Sequence, residues 1–219
     1  MINDKKVQKF NYILTVFICI MLVWVVLAII KVKDVNNLRK LAKEQTQGEE
    51  TLNRIDKFED QLKDGDRQND FEALFQIAFD RESLGDHDGA IKYYKEALRI
   101  NQNSTLAEWN LANIYKEIED KEKAEKEYKK AIELDPSNAM YYNGLGELYR
   151  SWEGNELEEP ALYLKALESQ KDNVSIMREL TSYFRYTNDT DNLRHWLYEV
   201  IRVDENANWA KNEVLSIEN

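Results

Sequence analysis

The stretch LGDHDGAIKYYKEALRIN (84–101) decides how this chain is read, because it returns thirty-four residues later as IEDKEKAEKEYKKAIELD (118–135). Each copy opens with a polar turn and continues as a helix with small residues at fixed places. Ala90 and Ala97 become Ala124 and Ala131, and Tyr94 becomes Tyr128. A fixed period of this length marks a stacked array of helical units, each able to bury its apolar face only against its neighbours.

Extending the register gives four copies, 71–104, 105–138, 139–173 and 174–207, the third with one extra residue. Each predicts two helices joined by a short turn, at Leu84-Gly85-Asp86, Ile118-Glu119-Asp120, Glu153-Gly154-Asn155 and Thr187-Asn188-Asp189. In the first helix of each pair Ile77, Leu111, Leu145 and Leu180 supply a buried aliphatic, and the next residue is small: Ala78, Ala112, Gly146, Thr181. In the second, Tyr94, Tyr128 and Tyr163 are each followed three residues on by Ala97, Ala131 and Ala166. Small residues let helices approach while large ones fill the adjoining gaps. Pro136 closes the second unit. Residues 208–219, with Trp209, Val214 and Leu215, read as a capping helix.

This pattern resembles the tetratricopeptide repeat family over roughly 71–207. The first two copies match closely. The third departs at Glu159-Pro160, and the fourth has Leu193, Leu197 and Val200 for the small and aromatic residues. The resemblance implies an all-α, right-handed α-solenoid in which the first helix of each pair lines a concave, protein-binding groove. In this register the groove carries Phe75, Phe79, Trp109 and Asn113 toward one end, then Asn143, and Arg150, Arg178 and Arg185 toward the other. An apolar anchor of a partner protein or peptide suits the aromatic end, and carboxylates suit the arginines. Two simpler assignments stand beside this: Phe75 and Phe79 packing near Phe58, and the arginines balancing acids such as Glu147 and Glu179. A clamp for a chaperone's C-terminal carboxylate, known in some family members, is not expected, since only Asn110 fits its positions.

Upstream of the repeats, residues 12–30 (YILTVFICIMLVWVVLAII) hold no charge. As a helix they span roughly 28 Å, close to the ~30 Å hydrocarbon core, and predict a single-pass transmembrane helix. The run is longer than a signal-peptide core and no small-x-small cleavage site follows. Residues 1–11 form a short basic tail with Lys5, Lys6 and Lys9. Residues 31–70 predict a polar spacer of two short amphipathic helices, broken near Gly48, that holds the repeats off the bilayer. The flanking basic residues favour a cytoplasmic repeat domain, while long domains translocate largely regardless of charge. With the usual tail-inside arrangement of an uncleaved anchor, the repeats are expected on the extracytoplasmic side.

Composition narrows the chemistry. With three lysines and one aspartate before residue 31, the rest of the chain carries 27 basic and 40 acidic residues, a net charge of −13, which repels phosphate backbones and argues against nucleic acid as a partner. The single cysteine, Cys19, lies inside the apolar run, so neither a disulfide framework nor a cysteine zinc site is expected. His87 reads as a turn residue, and His195 has no second ligand at metal-binding spacing. No catalytic or phosphate-binding motif is present. The sequence therefore predicts no enzyme activity, catalytic residue, metal or cofactor, and favours a membrane-anchored scaffold for a partner protein. The alternatives are an accessory subunit of a membrane secretion or import machine, or a self-associating structural protein. The oligomeric state stays open.

Overall fold

The computed structural model describes residues 4–63, 70–154 and 158–218, the stretch 4–12 by backbone alone. The side chains of Lys5, Lys6, Lys9 and Tyr12, the turn residue Asn155 and part of the expected spacer (64–69) lie outside the described residues. Among these, every regular element is a helix: α1 (Asp4–Lys43), α2 (Gly48–Gln61), α3 (Asp70–Ser83), α4 (His87–Ile100), α5 (Thr105–Glu117), α6 (Lys121–Leu134), α7 (Ala139–Arg150), α8 (Glu158–Ser169), α9 (Val174–Tyr186), α10 (Thr190–Val203) and α11 (Asn208–Glu218). Consecutive helices pack on one another from α1 to α11, and α5 and α9 also touch α7, so α5, α7 and α9 lie side by side in a row.

The repeat is written in the turns. Gly85, Glu119, Gly154 and Asn188, thirty-four or thirty-five residues apart, all take left-handed backbone with φ of 79°, 61°, 88° and 56°. Glycine enters that region freely, asparagine tolerates it and glutamate does so at a cost. One residue later, Asp86, Asp120 and Asp189 cap the second helices by accepting from the backbone N–H groups of Gly89, Lys123 and Asn192. Ser104, Asn138 and Asn173 cap α5, α7 and α9 in the same way. Pro160 falls in the first turn of α8, where its missing N–H breaks no bond of the helix.

Packing follows the small–large alternation. Ile77, Leu111, Leu145 and Leu180 are at most 1 % exposed, and burying such a side chain contributes about 1.5–3 kcal/mol. Tyr94, Tyr128 and Tyr163 are equally buried and press on the small positions. A Cβ on Gly146 would lie 2.2 Å from the Tyr163 hydroxyl, and one on Gly144 2.5 Å from the Tyr128 ring. Three apolar clusters run through the array: Leu38 and Ile55 to Ile77, then Ala78 to Tyr149, then Tyr142 to Val214. The last includes Ala210 and Val214 of α11, which covers the end of the stack.

At the N-terminal end the arrangement differs from a transmembrane helix followed by two separate short helices. α1 is continuous from Asp4 to Lys43. Its apolar portion makes it the one described helix long and apolar enough to cross a membrane, with mean hydropathy 3.2 and none of that stretch buried. Within two turns exposure drops from 60 % at Val32 to 4 % at Leu38. The last turns of α1 and all of α2 thus pack as one more helix pair against α3. Gly48 lies where a Cβ would meet the Ala42 carbonyl oxygen at 1.9 Å, so the chain turns tightly there.

Charge locks this junction. The Arg81 guanidinium, 2 % exposed, donates to both carboxylate oxygens of Asp34 on α1 at 3.0 and 2.9 Å, and to Asp86 at 2.7 Å. It lies 5.0 Å from the centre of the Tyr93 ring and 3.4 Å from Glu59. Burial works against the charge of Arg81, but the Asp34 and Asp86 carboxylates outweigh it and raise its pKa further. Burial beside Glu59 pushes the Tyr93 phenol up to about 12. Arg54 of α2 adds a two-pronged bond to buried Asp80, at 3.1 and 2.6 Å.

Candidate protein-binding groove

The row of first helices, α3, α5, α7, α9 and then α11, carries the residues that the repeat register assigns to the groove. Side-chain contacts run from α5 to α7, from α7 to α9 and from α9 to α11. Lys116 of α5 donates to Glu147 of α7 at 2.9 Å, and Asn143 of α7 to Glu179 of α9 at 2.5 Å. Arg185 of α9 makes a two-pronged bond to Glu213 of α11, at 2.6 and 2.7 Å.

The aromatic end divides in two. Phe75 is half-buried and packs edge-on against Tyr94, ring centres 5.4 Å apart, as well as against Phe71. Phe79 is 50 % exposed. Trp109 is half-buried, and its indole Nε1 is buried with no hydrogen-bond partner among the described residues. Asn113 accepts from the Tyr128 hydroxyl at 2.5 Å, so its carbonyl oxygen is committed to the second helix of its own pair. Asn110 likewise donates to Tyr94 at 2.9 Å and is buried. Burial raises the pKa of Tyr94 and Tyr128 well above the ordinary tyrosine value, so both remain protonated donors.

The three arginines are not equivalent. Arg150 holds fully buried Glu159 through Nε at 2.9 Å and through Nη2, and lies 4.8 Å from the centre of the Tyr186 ring. Its hydrogen bond to Glu159 raises its pKa, as the Glu213 bond does for Arg185. Both guanidiniums already hold a carboxylate of their own chain. Arg178 instead lies 4.7 Å from the centre of the Trp209 ring and pairs with no carboxylate among the described residues.

Arg178 also borders an open depression on this face. A cleft of about 500 Å³ lies between the N-terminal halves of α7 and α9, lined by Asn138, Met140, Asn143, Ser175, Arg178 and Glu179 among others. Met140 is 42 % exposed there. Asn143 and Arg178 are the two register-assigned residues that the fold brings together at this cleft; Phe79 and Trp109 lie on earlier helices of the row, and Arg150 and Arg185 sit at the far ends of α7 and α9. Sequence reasoning missed the contributions of Asn138, the cap of α7, and of Ser175, in the first turn of α9. The helix-capping pattern was the signal for Asn138.

Comparison with known proteins agrees with the repeat fold. Residues 83–148 match a family profile described as Tetratricopeptide repeat. No curated protein matches the chain by sequence. Among solved structures, MamA is similar, with 20 % identity and a TM-score of 0.53 over 69 % of this chain and 86 % of that one. MamA from Desulfovibrio magneticus RS-1 gives 15 % identity and 0.53 over 78 % and 96 %. A tetratricopeptide repeat protein from Parabacteroides merdae ATCC 43184 gives 15 % and 0.56 over 83 % and 71 %. At these identities the likeness concerns the fold.

Proposed function

We propose that this tetratricopeptide-repeat chain is a membrane-anchored scaffold that binds a segment of a partner protein along the row of its first helices. The observation that carries the reading is the cleft between α7 and α9, where an exposed methionine and an arginine without a carboxylate partner face the same space. An apolar side chain beside a carboxylate is the partner chemistry that suits it. Phe79, half-exposed on the same row, offers a second apolar contact further along. Residues 12–30 serve as the membrane anchor in this account, supported by an unbroken apolar run with no protein packed around it. The repeats then face the extracytoplasmic side, as the uncleaved-anchor arrangement favours.

Charge reversal at Arg178 tests the groove. The Arg178 guanidinium supports no internal ion pair among the described residues, so Arg178→Glu is expected to leave helicity unchanged and to cost only the contact with the Trp209 ring, about 0.5–1 kcal/mol. Partner affinity, read by capture with the full chain from solubilised membranes, should fall roughly thirtyfold, the size of one interface hot spot. Lys165→Glu, on an exposed position of α8, should have no effect. Equal capture by wild type and Arg178→Glu would contradict the assignment.

A further inference from the structure

We propose that the cavity where α1 leaves its apolar stretch and meets the first turn of α4 is a phospholipid-headgroup site, with Lys31, Lys33 and Lys92 around the phosphate. This rests on the reading that α1 crosses the membrane. The cavity measures about 490 Å³ and has two unlike walls. One is Leu27 and Ile30 of the apolar run, 54 % and 58 % exposed. The other includes Lys31, Asp88, Gly89 and Lys92. Lys33 borders the adjoining depression, which shares Ile30, Asp88 and Gly89.

Four cations (Arg81, Lys31, Lys33 and Lys92) and four carboxylates (Asp34, Glu59, Asp86 and Asp88) line the two depressions, so the charge there balances. Asp34, Asp86 and Glu59 are all engaged by Arg81. Lys31, Lys33 and Lys92 pair with no carboxylate among the described residues, and Asp88 is the one nearby acid without a cation. The three unpaired ammonium groups offer charged hydrogen-bond donors to a phosphate diester. The apolar wall selects a lipid over free phosphate, because Leu27 lies three residues inside the uncharged run, about 4.5 Å below its end. The first turn of α4 therefore stands at headgroup depth beside α1. The Arg81–Asp34 lock fixes that register, so the bound lipid would orient the whole solenoid relative to the bilayer.

The test uses the full chain in phosphatidylcholine nanodiscs containing phosphatidylglycerol, released into a native mass spectrometer. Wild type should retain one phosphatidylglycerol. Lys31→Ala with Lys92→Ala should lower the retained fraction roughly fivefold per lysine, while Lys165→Ala leaves it unchanged. Equal retention by wild type and the double variant would overturn the site, and so would displacement of the lipid by millimolar inorganic phosphate. Alkaline extraction of cell membranes separates the two ideas. A chain released into the supernatant removes the membrane reading itself, whereas a chain kept in the pellet with unchanged lipid retention removes only the headgroup site.

Discussion

At the scale of single residues, two positions show how the repeat tolerates variation. Gly146 occupies the small position of the third unit, and the Tyr163 hydroxyl fills the space a side chain would need. Gly146→Ala should therefore destabilise by about 1–3 kcal/mol, because one helix must move or the tyrosine must leave its rotamer. Glu119 has the opposite character. Its left-handed φ of 61° costs a non-glycine residue about 1–2 kcal/mol, and Gly85 and Gly154 hold the equivalent places. Glu119→Gly should raise the melting temperature, less the entropy glycine loses on folding. Thermal unfolding of the two variants side by side checks both signs. A stable Gly146→Ala or a destabilised Glu119→Gly would refute this account of the repeat's packing and turns.

At the scale of elements, the sequence revealed what depends on local spacing. Helix pairs, turns and the buried row from Ile77 to Leu180 were all legible. Interactions between distant residues were not. Arg185 reaches Glu213 across twenty-eight positions and Arg81 reaches Asp34 across forty-seven. Nothing in the local pattern distinguishes such committed arginines from Arg178. The length of α1 was misjudged for a related reason. Charges resume at Lys31, which reads as the end of a membrane helix, yet neither Pro nor Gly intervenes before Gly48 to stop it. The Arg81 cluster makes that continuity consequential. Arg81→Leu leaves Asp34, Asp86 and Glu59 without their common cation, and breaking a buried pair costs about 3–5 kcal/mol. Hydrogen exchange should accelerate in 31–61 while α6–α10 stay protected, since each unit of such an array answers mainly to its neighbours. Uniform acceleration along the chain, or none, would show that the cluster is not what fastens α1 to the repeats.

At the scale of the whole molecule, the chain is a stack of helical pairs whose first pair borrows the end of a long apolar helix. This architecture holds one face at a fixed angle to whatever α1 enters, and the contacts along that face (Lys116–Glu147, Asn143–Glu179 and Arg185–Glu213) stiffen it. A pre-ordered surface loses less entropy on binding than a mobile one. The measurement that tests this most directly is photo-crosslinking in intact membranes, with a benzophenone amino acid at Met140 in the cleft or at Lys165 on α8. The account predicts a discrete adduct to a second protein from position 140, weakened by Arg178→Glu and absent from position 165. Adducts of equal yield from both positions, or only an adduct between two copies of this chain, would contradict it.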